Sequence, residues 1–197
     1  MNVLSSSVLR RLAVYCGSAP GSDSAFADAA RATGEALAAH GIDLVYGGGR
    51  LGLMGIVADT VIAAGGRTFG VIPEALVGLE VAHTGLTELH KVAGMHERKA
   101  KMTELADGFL CLPGGIGTLD ELFEAWSWNA LGYHAKPFCL VNIDGFWDGL
   151  TGFLDHVSSA GFISPARRAQ LLVADTPDEA IKLLDAAARN ASQAMVW

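Results

Sequence analysis

The chain has few cysteines for its length. Its 197 residues include three, Cys16, Cys111 and Cys139, which are odd in number and far apart. This pattern excludes a disulfide framework and the paired spacing of a structural zinc site. Because each cysteine lies in an apolar run, we expect all three to be reduced, buried, small hydrophobic residues.

Long hydrophobic runs are missing as well. No apolar stretch approaches the roughly 18 residues that cross a membrane. The opening MNVLSSSVLRRLAVYCGS lacks the basic start, apolar centre and small-residue cleavage site of a secretory signal. The sequence therefore predicts no membrane partner and a cytoplasmic location.

Basic residues are too few for a nucleic-acid surface. Lys and Arg number 14 against 21 Asp and Glu, which gives a formal net charge of −7. A chain of this charge does not offer the basic face that attracts nucleic acid or anionic membranes. We expect no nucleic-acid partner, and any bound phosphate must be held by a local site.

The sequence also lacks a recognisable metal-binding pattern. His96-Glu97 is not followed four residues on by the second histidine of a zinc-peptidase motif, and the other histidines form no cluster. We expect no metal and no cofactor, and hence activity that survives chelation.

Apolar residues, by contrast, are plentiful. They make up 51% of the chain against 18% charged residues, which is enough to build one compact core. Short apolar runs bounded by Gly, Pro or Asp alternate with segments of helical period, as in βαβ units. The sequence predicts an α/β fold: a Rossmann-like, doubly wound, mostly parallel sheet with helices on both faces. It predicts one domain over residues 1–197, with loose termini at 1–9 and 191–197.

The predicted elements alternate along the chain. The strands are 12–16, 42–46, 68–72, 89–92, 108–112, 138–142 and 171–174. The helices are 24–39, 53–64, 95–105, 119–131, 145–159 and 177–189.

The first glycine-rich segment follows the second predicted strand. Gly47, Gly48 and Gly49 open GGGRLGLMG, which satisfies the G-x-G-x-x-G pattern of dinucleotide-binding loops. The match is weak, because it follows the second strand and no acidic residue ends the next one. The alternatives are an anion site at a helix N-terminus and glycines that only allow close packing.

The second glycine-rich segment is more specific. PGGIGTLDE follows the strand at 108–112 and brings Gly114, Gly115, Gly117 and Thr118 to the start of a helix. Glycines there leave room for a phosphate at the helix N-terminus. The alternative is a capping box, in which Thr118 caps the helix and Glu121 returns to the cap.

A basic cluster begins the third predicted helix. MHERKAKM places Arg98, Lys99 and Lys101 in its first turns, where cations oppose the helix dipole. An anionic substrate would explain that cost, and a solvated basic face is the alternative. Ser18, in the YCGS turn after the first strand, is a further candidate for ligand contact.

Together, GGGRLGLMG, MHERKAKM, PGGIGTLDE and the YCGS turn resemble the cytokinin riboside monophosphate phosphoribohydrolases, a family whose members are often labelled lysine decarboxylases. The resemblance covers roughly residues 10–190. It implies a Rossmann-like fold, a homodimer, and cofactor-free hydrolysis of a nucleoside monophosphate, such as AMP or an N6-substituted relative, to base and ribose 5-phosphate. The physiological base stays open.

The resemblance also implies roles for individual residues. Arg98 and Glu121 form the catalytic pair, and Gly114, Gly115, Gly117 and Thr118 surround the phosphate. The predicted substrate-binding residues are Ser18, Gly47, Gly48, Gly49, Met95 and Lys99.

The residue types suit that reaction on their own account. Breaking an N-glycosidic bond develops positive charge on the sugar, and a carboxylate such as Glu121 can stabilise the cation, orient the ribose or activate water. Arg98 can hold phosphate or ribose and keep Glu121 ionised. Two alternatives remain: a nucleotide-binding module without turnover, and an NAD-dependent oxidoreductase built on Gly47–Gly52.

Overall fold

The computed structural model describes residues 7–78 and 81–194, with side chains described up to residue 191. Within these residues, parallel strands form one seven-stranded sheet in the order β4-β3-β2-β1-β5-β6-β7. The strands are β1 Arg11–Tyr15, β2 Asp43–Tyr46, β3 Thr68–Pro73, β4 Glu88–Val92, β5 Gly108–Cys111, β6 Phe138–Val141 and β7 Leu171–Ala174.

Helices connect the strands and cover both faces of the sheet. They are α1 Ser24–Ala39, α2 Gly52–Ala63, α3 Met95–Leu105, α4 Ile116–Ala130, α5 Asp148–Ser159, α6 Pro165–Arg168 and α7 Pro177–Ala194. The first core layer holds apolar residues of α1, α2 and α7, and the second holds those of α3, α4 and α5. Alternate residues of β1 enter opposite layers: Leu12 and Val14 the first, Ala13 and Tyr15 the second. The Rossmann-like fold is therefore confirmed.

The strand order decides where a ligand can bind. The chain winds outward from β1 through β2, β3 and β4, then returns to the other side of β1 with β5. The loops after β1 and β5 thus lead to opposite faces and leave a crevice between them. The two glycine-rich segments follow β2 and β5, with β1 between those strands.

Several boundaries differ from the predicted ones. Helix α4 begins at Ile116, three residues before the predicted start, and its N-cap is Gly115. The capping box at Thr118 is therefore wrong: Thr118 lies inside the first turn. Helix α5 begins at Asp148, after a 3₁₀ turn at Ile143–Gly145, and the short α6 was not predicted.

The termini and the cysteines can also be compared with the expectations. Of the termini expected to be loose, residues 1–6 and 195–197 lie outside the described residues, whereas Leu9 is buried and α7 continues to Ala194. The cysteines are free and buried, as predicted. Among the helices described, none is long and apolar enough to span a membrane.

Candidate active site

A cavity of about 220 Å³ opens at the crevice between β1 and β5. Its lining residues come from the loops and helices that follow β1, β2, β3, β4 and β5: Cys16, Ser18, Met54, Leu76, Met95, Arg98, Gly115, Ile116, Gly117, Thr118 and Glu121. Residues from the motifs at the starts of α2, α3 and α4 therefore meet at one site. Its place agrees with the rule that ligands of such sheets bind beyond the carboxyl ends of the strands.

The turn after β1 holds the cavity wall together. Gly17 N donates a hydrogen bond to Pro113 O over 3.1 Å, and Leu53 N donates to Gly17 O over 3.0 Å. One short turn thus ties the loop before α4 to the start of α2. Ser18, the next residue of this turn, lines the cavity.

The N-terminus of α4 faces the cavity. No side chain of the described residues caps it, and the first N–H groups of a helix have no intrahelical acceptor. A Cβ on Gly115 or Gly117 would meet no described atom within 4 Å, so these glycines leave the helix end open. Backbone donors and the helix dipole together favour an anion there.

Gly114 has a different role from Gly115 and Gly117. A Cβ at Gly114 would lie 2.1 Å from Thr118 Oγ1 and 2.9 Å from Gly17 N. Glycine is therefore required for the loop to pack against the first turn of α4. Gly114 packs against buried Thr118 and is not one of the residues that line this cavity.

Arg98 and Glu121 meet across the floor of the cavity. Arg98 lies on α3 and Glu121 on α4, and Arg98 Nη2 is 3.8 Å from Glu121 Oε1. Their side chains are 5% and 11% exposed. At the other end of the guanidinium, Nη1 donates to Met95 Sδ over 3.9 Å. The site thus combines a permanent cation, a carboxylate and an anion-binding helix end.

Gly47 makes room for this arrangement. A Cβ at Gly47 would lie 1.9 Å from Arg98 Nη2, so only glycine lets the guanidinium lie against the backbone after β2. Gly47 contributes by placing Arg98.

Gly48 and Gly49 are not brought to the cavity. Gly48 O accepts a hydrogen bond from His83 N over 2.9 Å, and Gly49 forms an antiparallel bridge with Ala82. Gly48 has a φ of 77°, a conformation that favours glycine. The G-x-G-x-x-G segment therefore pairs with the chain at 81–83, where Arg50 N also donates a hydrogen bond to Val81 O over 3.0 Å.

Lys99 is not one of the described residues that line the cavity. Its ammonium contacts Asp120 at 3.1 Å and also bonds to Glu124, both on α4. Burial by itself lowers the pKa of Lys99, but the hydrogen bonds and charges of Glu124 and Asp120 outweigh it, so the pKa is raised. The basic cluster at the start of α3 is thus no solvated face: two of its cations pair with α4, and Lys101 pairs with Glu104.

Two ionisable side chains at the end of β1, Tyr15 and Cys16, stay neutral. Burial raises the pKa of the Cys16 thiol, and the charge of Glu121 raises it further. Burial and Glu121 likewise raise the pKa of Tyr15 well above its usual range. Neither group is a thiolate or phenolate nucleophile near neutral pH.

Four lining residues were not predicted as ligand contacts: Cys16, Met54, Leu76 and Ile116. Cys16 is the first residue after β1, and Ile116 lies between two of the predicted glycines, so their positions in the motifs could have revealed them. Leu76 comes from a 3₁₀ turn after β3, Glu74–Leu76, for which the sequence offers no motif.

Metal-ligating side chains do not gather at this site. Across the described ranges, no group of three or more His, Cys, Asp or Glu side chains is close enough to hold a metal ion.

The chain is similar to proteins of known name. The family model described as "Possible lysine decarboxylase" matches residues 54–184. Cytokinin riboside 5'-monophosphate phosphoribohydrolase LOG of Oryza sativa subsp. japonica is 45% identical over 188 residues, which are 95% of this chain and 78% of that protein. The protein of the same name in Rhodococcoides fascians is 43% identical over 173 residues, with 87% of each chain covered.

Solved structures of lower identity share the architecture. The molybdenum cofactor binding protein of the phototrophic bacterium Rippkaea orientalis aligns with a TM-score of 0.69 at 20% identity. The alignment covers 89% of this chain and 95% of that one. At this identity the likeness concerns the fold alone.

Proposed function

This chain belongs to the family that is described as possible lysine decarboxylases and includes the cytokinin riboside 5'-monophosphate phosphoribohydrolases, and from that premise we propose that it is such a phosphoribohydrolase. It hydrolyses the N-glycosidic bond of AMP or of N6-substituted adenosine monophosphates. The products are the free base and ribose 5-phosphate. The observation that carries the proposal is the Arg98–Glu121 pair beside the open N-terminus of α4.

The site divides into a phosphate end and a sugar end. The 5′-phosphate binds the N–H groups of α4 at Gly115, Gly117 and Thr118, where the helix dipole favours its charge. The ribose then lies over Arg98 and Glu121, and the base lies among the apolar side chains of Met54, Leu76 and Met95, which line the same cavity. That mixture of a few polar groups and apolar walls is typical of small-molecule sites.

The chemistry needs a negative charge near the sugar. The bond from C1′ to the base nitrogen breaks, a water oxygen bonds to C1′, and the base leaves with a proton. Positive charge develops on the ribose as the bond stretches, and the Glu121 carboxylate stabilises it. Arg98 holds Glu121 ionised and orients the substrate's oxygens.

The decarboxylase label fits the site less well. A pyridoxal phosphate enzyme needs a lysine that forms a Schiff base in the cavity. Of the residues that line the described cavity, none is a lysine, and the Lys99 ammonium is engaged by Asp120 and Glu124.

Incubation with AMP tests the proposal directly. We expect free adenine and ribose 5-phosphate, detected by chromatography, and the same rate with EDTA present. Adenosine should have a kcat/KM lower by about 100-fold or more, because it cannot use the binding energy of the phosphate. Equal turnover of AMP and adenosine would contradict the phosphate site. Tight AMP binding without adenine release would instead indicate a binding module.

We also propose that the protein is a homodimer. A second groove, of about 380 Å³, lies between α4 and the chain before α6, where Phe123 and Trp126 form its wall. Phe162 at its edge is 85% exposed, and Phe153 on α5 is also exposed. Exposed aromatic side chains beside an apolar groove are typical of protein interfaces.

Light scattering tests the dimer. The parent should have twice the chain mass of 20.6 kDa, and Phe162→Glu should reduce it to one chain mass, since a charge cannot be buried there without a partner. Val173→Glu, which alters an exposed residue of β7, should leave the mass unchanged. A parent of single chain mass would refute the dimer.

We also propose that the protein is located in the cytoplasm. Its free cysteines fit that reducing compartment.

A further inference from the structure

Lys99 joins the two helices that carry the catalytic pair. It lies on α3 next to Arg98, and its partners Asp120 and Glu124 lie on α4 on either side of Glu121 in sequence. The Lys99 side chain is 8% exposed. A buried cation between two helices fixes one against the other, because separating them would leave its charge without partners.

The charges around Glu121 can be counted by element. Arg98 and Lys99 on α3 supply two cations, and α4 carries two further carboxylates, Asp120 and Glu124. Tyr15 on β1, Cys16 directly after β1 and Cys111 on β5 also interact electrostatically with Glu121. Burial raises the pKa of all three, so they are neutral near pH 7. Among the residues that the structure describes, the two cations therefore face three carboxylates, Glu121 included.

We propose that Lys99 is a positioning residue: it holds α4 against α3 and offsets the charge of Asp120 and Glu124, so that Glu121 stays ionised under working conditions. This inference rests on the proposed phosphoribohydrolase activity. It gives Lys99 a role without substrate contact, in place of the direct contact that the sequence predicts.

A pH profile separates this role from a merely structural one. In Lys99→Met, the three described carboxylates lose one of their two cations, so Glu121 takes up a proton at higher pH than in the parent. The acid limb of kcat/KM should move to higher pH by about half a unit or more. Activity should be lost mainly at low pH and return to within about threefold of the parent above the limb. The ionisation of the AMP phosphate is common to both enzymes and does not move.

Matched variants isolate the charge. Lys101→Met removes the same charge from the same helix at a residue paired with Glu104, and should leave the limb in place. Lys99→Arg keeps the cation and should also leave it in place. In Lys99→Met with Glu124→Gln, the loss of one carboxylate should bring the limb back toward the parent's. A loss that is uniform across pH and not restored in the double variant would overturn the proposal.

A readout without turnover keeps the two proposals apart. Carboxyl carbon NMR, with the Glu121 signal assigned by its absence in Glu121→Gln, should show a higher titration midpoint in Lys99→Met than in the parent. If the parent releases no adenine, the proposed activity fails, and the midpoints still decide the electrostatic role. If the parent is active and the midpoints agree, only the role of Lys99 fails.

Discussion

Glu121→Gln is expected to lower kcat for AMP by about 100-fold or more, the scale of general acid–base or electrostatic groups. The amide keeps the size of the side chain and an acceptor oxygen near Arg98, which lies 3.8 Å from the carboxylate. It removes the charge that the developing ribosyl cation needs. AMP binding at the N-terminus of α4 should largely remain, because Glu121 is five residues beyond Ile116, the first residue of that helix. Steady-state kinetics and AMP titration measure the two effects.

In this structure, the effect of Glu121→Gln on catalysis is not confused with the loss of a helix cap. Since Gly115 is the N-cap of α4, Glu121 lies beyond the third helical position that a capping box would use. We expect the free energy of unfolding to fall by about 1–2 kcal/mol, because the neutral amide interacts less strongly with the buried Arg98. Glu104→Gln makes the same chemical change at an exposed residue of α3 and should be as active as the parent. Full activity in Glu121→Gln would exclude the carboxylate from the mechanism.

Arg98→Lys is expected to lower kcat/KM by about 100-fold, although the charge is kept. The guanidinium is nearly fully buried and reaches Met95 through Nη1 and Glu121 through Nη2. It also lies close to Gly47, where a Cβ would collide with it. An ammonium is a compact charge on a flexible stem and cannot span these contacts. Adenine release at several AMP concentrations gives the ratio.

A matched change checks that the effect is local. Arg31→Lys alters an exposed arginine of α1 that pairs with Asp28, and should leave kcat/KM within a factor of two. Thermal unfolding of Arg98→Lys should remain cooperative. Near-normal turnover in Arg98→Lys would show that any cation suffices at this position. The planar guanidinium, with donors on both sides, would then not be required.

Much of the fold could be predicted because its signals are local. Helices α1 and α3 and strand β7 agree with the predicted bounds at both ends. Buried parallel strands appear as short apolar runs, and glycine or proline marks where they stop. The start of α4 could not be predicted this way, since Thr118 and Glu121 satisfy a capping pattern while Gly115 caps the helix. Gly115 and Thr118 are both possible N-caps for α4. The close packing of Gly114 against Thr118 favours Gly115.

The sequence by itself determined the fold class, the family resemblance and the motifs that contribute to the candidate site, because glycine loops at strand ends, MHERKAKM and PGGIGTLDE are local patterns. Only the tertiary structure decided what each residue does there. The spacing of Gly47, Gly48 and Gly49 along the chain does not reveal that the first lies under Arg98 and the other two pair with residues 82 and 83. Nor does MHERKAKM reveal that Arg98 lines the cavity while Lys99 joins α4. Neighbouring residues of a helix point about 100° apart, so their partners are settled by the helix that packs beside them.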